Sequence, residues 1–123
     1  MKYFFLLFSL VTFIGYAQSN DCSKFKTGTF KFVGSDNQNT IITRNNSIQI
    51  EENNETGIKY TGSIKWISDC KYTLTYTEVS NPDYSSIIGT TFNVDITSTT
   101  KSTYKYSAYN DTRKITGEII KVK

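Results

Sequence analysis

The side chains that usually carry acid–base and nucleophilic chemistry are unevenly represented in this chain. Its 123 residues include no histidine. That removes Ser-His and Cys-His dyads, an imidazole general base and His-based zinc sites. Acidic side chains cluster once, at Glu51, Glu52 and Glu55. The trio could supply a carboxylate pair or a Ca²⁺ site, but no EF-hand spacing accompanies it. On an extended chain Glu51 and Glu52 point to opposite faces, and Glu55 sits among asparagines. The expected role is a solvated hairpin tip. Serines and threonines are plentiful, yet none stands in a Gly-x-Ser-x-Gly turn. No enzymatic activity, cofactor or metal site is expected.

Two further groups of residues stand out. Cys22 and Cys70 are the only cysteines, too far apart for a CxxC redox pair. In an oxidising compartment such an even pair defaults to a disulfide. It would close a loop of about 49 residues, worth on the order of 4 kcal/mol in the chain-entropy treatment. The second group is aromatic: Tyr60, Trp66, Tyr72, Tyr76, Phe92, Tyr104 and Tyr106 fall on one phase of alternating segments. Buried tyrosine hydroxyls need partners, so these seven form either a filled core or the lining of a cavity. They are the candidate ligand-binding residues.

The address precedes the fold. Residues 1–17 read MKYFFLLFSLVTFIGYA: a basic start at Lys2, an apolar run, then small residues before Gln18. That is the three-part pattern of a secretory signal peptide, and the run is too short to span a bilayer. A signal peptide over 1–17 and a single domain over 18–123 are therefore expected, in a secreted or periplasmic setting with no membrane span after cleavage. Losing Lys2 leaves 13 basic and 11 acidic side chains. With Arg44 and Arg113 as the only arginines and no basic run, no nucleic-acid partner is expected.

The elements that must position these residues read as strands. Over 18–123, Ile, Val, Thr, Phe, Tyr and Trp make up 46 of 106 residues, a composition suited to pleated sheet. Apolar residues recur two apart: Phe30 and Phe32; Ile48 and Ile50; Tyr60, Ile64 and Trp66; Tyr72, Leu74 and Tyr76; Phe92, Val94 and Ile96; Tyr104 and Tyr106; Ile115, Gly117 and Ile119. Such alternation buries one face and wets the other, as antiparallel sheet does. Turn residues separate the runs, at Asn45-Asn46, Ser68-Asp69 and around 110–114. The expected fold is all-β, a meander of about eight strands closing into a small barrel. Eight strands enclose just enough room for packed side chains or one small ligand. Within 80–90, Asn81 can cap, Pro82 suits the first helical position, and Gly89 can terminate. A short helix near 82–88 is expected, either as a plug over one end or as a lid.

Thr27-Gly28-Thr29-Phe30 on the first strand resembles the Gly-x-Trp opening of the lipocalin and calycin group, with phenylalanine replacing tryptophan. The resemblance implies a basic side chain near the chain end, Arg113 or Lys121, packed over Phe30. The chain is also similar to a set of small secreted bacterial proteins of unknown function. The shared features are Cys22, Phe25 and Gly28; Ile42, Thr43, Arg44, Gln49, Ile50 and Glu51; and Trp66, Ile67, Cys70, Tyr72 and Leu74. Members of that set sometimes carry a topoisomerase IV label. That activity needs a tyrosine nucleophile, clustered Mg²⁺-binding carboxylates and a far larger protein, so the name carries no expectation here. What is expected is a monomeric, non-enzymatic barrel binding a small apolar ligand or an envelope component. The alternative is a protein-interaction module such as a periplasmic hydrolase inhibitor.

Overall fold

The computed structural model describes residues 21–34 and 37–123; the signal peptide expected over 1–17 lies outside them. Eight strands follow one another: β1 (Gly28–Phe32), β2 (Thr40–Arg44), β3 (Ile48–Asn53), β4 (Lys59–Ser68), β5 (Lys71–Val79), β6 (Thr91–Thr99), β7 (Thr103–Tyr109) and β8 (Lys114–Lys121). Each pairs antiparallel with its sequence neighbour, and β8 returns to β1 to close the barrel. This is the eight-stranded all-β meander that the alternation predicts. Closure leaves no free sheet edge.

Polar side chains organise the turns between strands. Asn45 Oδ1 accepts from the backbone N–H groups of Ser47 (3.0 Å) and Ile48 (2.8 Å). Asn53 and Asn110 do the same for the residues two and three positions on. Asparagine suits this because its short amide mimics a backbone carbonyl. At the β1–β8 seam, Thr29 N–H donates to the Lys123 carbonyl at 3.0 Å. Gly28 lies beside that carbonyl with φ +134°, and a Cβ there would collide with it. The glycine is thus required both for the backbone angle and for barrel closure.

The expected short helix is present as a 3-10 helix over Pro82–Ile87, not as an α-helix. Asn81 caps it by accepting from Asp83 N–H at 2.9 Å, and Gly89 follows with φ +89°. None of its residues is buried. A second 3-10 turn, Ser23–Phe25, precedes β1 and buries Phe25 completely.

These two segments lie at opposite ends of the barrel. The strand directions place Ser23–Phe25, the β2–β3 turn and the β4–β5 turn at one end, here called the closed end. The Pro82–Ile87 helix, the β3–β4 loop and the β7–β8 turn lie at the other, the open end. Cys22 and Cys70 form the expected disulfide, with Cα atoms 5.2 Å apart, fastening the N-terminal segment across the closed end. Lys26 pairs with Asp69 at 2.7 Å beside it. Such a disulfide fits an oxidising compartment. Among the described residues no helix is long and apolar enough to cross a membrane.

One strand departs from simple binary patterning. In β3 the inward phase is Gln49, Glu51 and Asn53, while Ile48 is 43% exposed. The pairing explains this phase. Arg44 lies opposite Gln49 and Ile42 opposite Glu51, and both Arg44 and Ile42 are buried. Residues directly opposite in an antiparallel pair share a face, so Gln49 and Glu51 must follow them inside.

Candidate functional site

The closed half of the barrel is a filled core organised around a buried charge. Arg44 is 3% exposed. Its Nε donates to Gln49 Oε1 (2.9 Å), Nη1 to the Phe25 carbonyl (2.9 Å), and Nη2 to the hydroxyls of Tyr104 (2.8 Å) and Tyr72 (3.3 Å). The guanidinium lies 4.6 Å from the Phe30 ring centroid, with Tyr72 and Tyr104 rings at 5.3 and 5.8 Å. Flat, delocalised and weakly hydrated, arginine suits a site that offers both acceptors and aromatic faces. Burial opposes its charge, but the neighbouring Tyr72 and Tyr104 phenols and Glu51 outweigh that and raise its pKa.

The basic group over Phe30 is therefore Arg44, from β2. It is neither of the two suggested by resemblance. Arg113 is exposed in the β7–β8 turn, and Lys121 Nζ instead donates to the Lys24 carbonyl at 2.6 Å.

A polar thread leads from this core toward the open end. Gln49 Nε2 donates to Glu51 Oε1 at 2.8 Å, and the Tyr76 hydroxyl donates to both Glu51 oxygens at 3.1 Å. One amide thus links a buried cation to a partly buried carboxylate. Burial raises the Glu51 pKa, while the two donors and the Arg44 charge counter part of that rise. Glu51 and Glu52 do occupy opposite faces, but Glu51 is not part of a solvated tip. It lies inside the barrel wall, at the boundary of two cavities.

The inner cavity has a volume of about 220 Å³. Leu74, Phe92, Val94, Ala108 and Ile119 provide apolar wall, and Tyr72, Tyr76 and Tyr106 provide rings. Tyr106 keeps its place because its cross-strand neighbour is Gly117. A Cβ at Gly117 would come within 2.8 Å of the Tyr106 hydroxyl oxygen. Burial pushes the Tyr106 phenol up to about 12 and likewise raises the pKa values of Tyr76 and Tyr72. Outside lies a vestibule of about 340 Å³, shared among Phe32, Asn37, Glu51, Asn53, Tyr60 and Tyr84. A groove of about 350 Å³ on the far side of Tyr60 and Tyr84 reaches Phe92 and Arg113.

The seven aromatic candidates consequently divide. Tyr72, Tyr76, Phe92 and Tyr106 line the inner cavity, and Tyr60 lines the vestibule. Tyr104 and Trp66 border neither. Tyr104 is fully buried, its ring centroid 5.0 Å from that of Phe25. Trp66 packs on Tyr72 at 4.6 Å with Lys26 Nζ over its face at 5.3 Å; its buried Nε1 has no hydrogen-bond partner among the described residues.

Residue-type reasoning passed over Arg44 and Gln49 as interior groups. The signal that could find them is the hairpin register: the chain turns at 46–47 and so sets 44 opposite 49, whereas a turn at Asn45-Asn46 sets 44 opposite 47. No group of three or more potential metal ligands occurs among the described residues. No protein-family model, curated protein or solved structure matches this chain.

Proposed function

We propose that the protein is a secreted or periplasmic, non-enzymatic barrel that binds one small, mainly apolar molecule in its open half. The observation that carries this reading is the 220 Å³ cavity, walled by aliphatic and aromatic side chains, beside a closed half filled to the disulfide. Concave, mostly apolar sites with a few polar groups are the usual form of small-molecule sites. The volume lies below the ~300–1,000 Å³ of drug-sized sites, so a compact ligand fits. The signal-peptide pattern of 1–17 and the disulfide support the setting.

A second reading, an interaction module such as a periplasmic hydrolase inhibitor, draws on one observation. Tyr84 and Ile88, each 48% exposed, lie in the connection at the open end. They could serve either as a rim for ligand entry or as a contact for a partner.

The deciding experiment is titration of an apolar fluorescent probe into the mature protein. Displaceable binding at micromolar concentration is expected, and Ala108→Trp, which fills the cavity from β7, should abolish it. If the wild type shows no displaceable binding, the cavity reading falls and the interaction module takes its place.

A further inference from the structure

The inner cavity and the vestibule share one charged lining residue, Glu51; every other described residue on their walls is uncharged. Its carboxylate is not in an ion pair; the ion pairs among the described residues are Lys26–Asp69 and Lys71–Asp95. Its Oε1 accepts from Gln49 and Tyr76, whereas Oε2 accepts from Tyr76 alone. An ionised carboxylate offers about four acceptor positions, so acceptor capacity remains on a residue that lines both cavities. Arg44, in contrast, lines neither cavity. All three of its nitrogens already donate within the closed half.

Resting on the ligand-binding reading above, we propose that the ligand is a compact apolar amine. Its protonated nitrogen meets Glu51, and its body occupies the inner cavity. A cation entering there gains a carboxylate of opposite charge, and the Tyr76, Tyr106 and Phe92 rings on the walls can face it. An anion of the same shape meets the Glu51 charge without reaching the guanidinium. The phase of β3 points the same way. Burying Ile48 and Ile50 would satisfy binary patterning, yet the strand turns Gln49 and Glu51 inward and leaves Ile48 exposed. Departures from local patterning concentrate where a protein needs a particular group.

The test compares 2-phenylethylamine, 2-phenylethanol and 3-phenylpropanoate by calorimetry on the mature protein and on Glu51→Gln. The wild type should bind the amine at least tenfold more tightly than the alcohol, and the carboxylate least. In Glu51→Gln the amine and the alcohol should fall within twofold of each other. Equal binding of amine and alcohol by the wild type would overturn the amine assignment and leave the cavity reading standing. A tenfold preference that survives Glu51→Gln would overturn it as well. If none of the three binds while the apolar fluorescent probe still does, the amine assignment falls and the cavity reading stands; if the probe fails too, both fall. Should Glu51→Gln fail to fold, the wild type still decides. The Glu51 carboxyl ¹³C resonance should move on adding the amine and not the alcohol, and an unmoved resonance contradicts the proposal.

Discussion

At the closed end Phe25, Phe30 and Tyr104 are fully buried and Arg44 is 3% exposed, while at the open end Phe32, Tyr76 and Tyr106 stay partly accessible around cavities. Both ends are rich in aromatic rings, so ring content does not separate them. Two other things do. The closed end has a plug of its own, the Ser23–Phe25 turn tied down by Cys22–Cys70; the open end has only the Pro82–Ile87 helix, which buries nothing. The closed end also gives its tyrosine hydroxyls a buried donor in Arg44. At the open end the Tyr76 hydroxyl turns to a carboxylate that faces a cavity. One half is thereby fixed by a buried polar network around Arg44, and the other keeps a carboxylate facing a cavity.

The largest effect expected from breaking this contrast comes from Arg44→Ala. It removes the donor for the Gln49 amide oxygen, the Phe25 carbonyl and two hydroxyls. Buried groups left unsatisfied cost about 1–3 kcal/mol each, and losing one member of a buried charge network costs about 3–5 kcal/mol. Urea denaturation should show a loss of about 5 kcal/mol. A loss below about 1 kcal/mol would mean that the guanidinium does not organise the closed end.

Next in size is the staple. The cysteines lie 48 positions apart, and replacing both with serine should cost about 4 kcal/mol. For a domain of this length that is a fall in Tm of roughly 15–30 °C. Calorimetry showing an unchanged Tm would remove the N-terminal plug from the account.

A smaller effect separates the halves by pH. Burial first of all raises the phenol pKa values of Tyr72, Tyr76 and Tyr106, while tyrosine in the unfolded chain ionises near 10. Above that pH the folded state holds more protons than the unfolded one. Stability from these groups is therefore complete below pH 10 and falls as pH rises beyond it. The slope is about 1 kcal/mol per pH unit for each tyrosine kept protonated, less for the partly exposed Tyr106. Titration followed at the tyrosine ¹³Cζ resonances should show Tyr106 ionising near 12. A Tyr106 that ionises near 10 would mean that its ring is not held in a desolvated wall.

Much of the fold is legible in the residue order, because alternation is a local signal. Tyr60, Ile64 and Trp66 share an inward phase, as their spacing predicts. Asn81, Pro82 and Gly89 mark the start and stop of their helix, although the six residues Pro82–Ile87 wind as a 3-10 helix. In β3 alternation distinguishes two faces without saying which is inside. Hydrophobicity favours Ile48 and Ile50, whereas cross-strand pairing with Arg44 and Ile42 selects Gln49 and Glu51. The candidate site was legible as a set of rings and illegible as a division. Nothing local tells Tyr104, fully buried, from Tyr106, half-buried two residues later on the same face. Only the plug at one end and its absence at the other separate them.

The central claim, a filled half and a ligand-receiving half, is tested most directly by mapping where an apolar probe binds. Side-chain methyl and aromatic resonances of the ¹³C-labelled mature protein would be followed during titration with the probe. Shifts are expected at Leu74, Phe92, Val94, Ala108 and Ile119 around the inner cavity, with Phe25, Phe30, Ile42 and Tyr104 unmoved. Shifts centred on those four closed-end residues, or none at either end, would contradict the account.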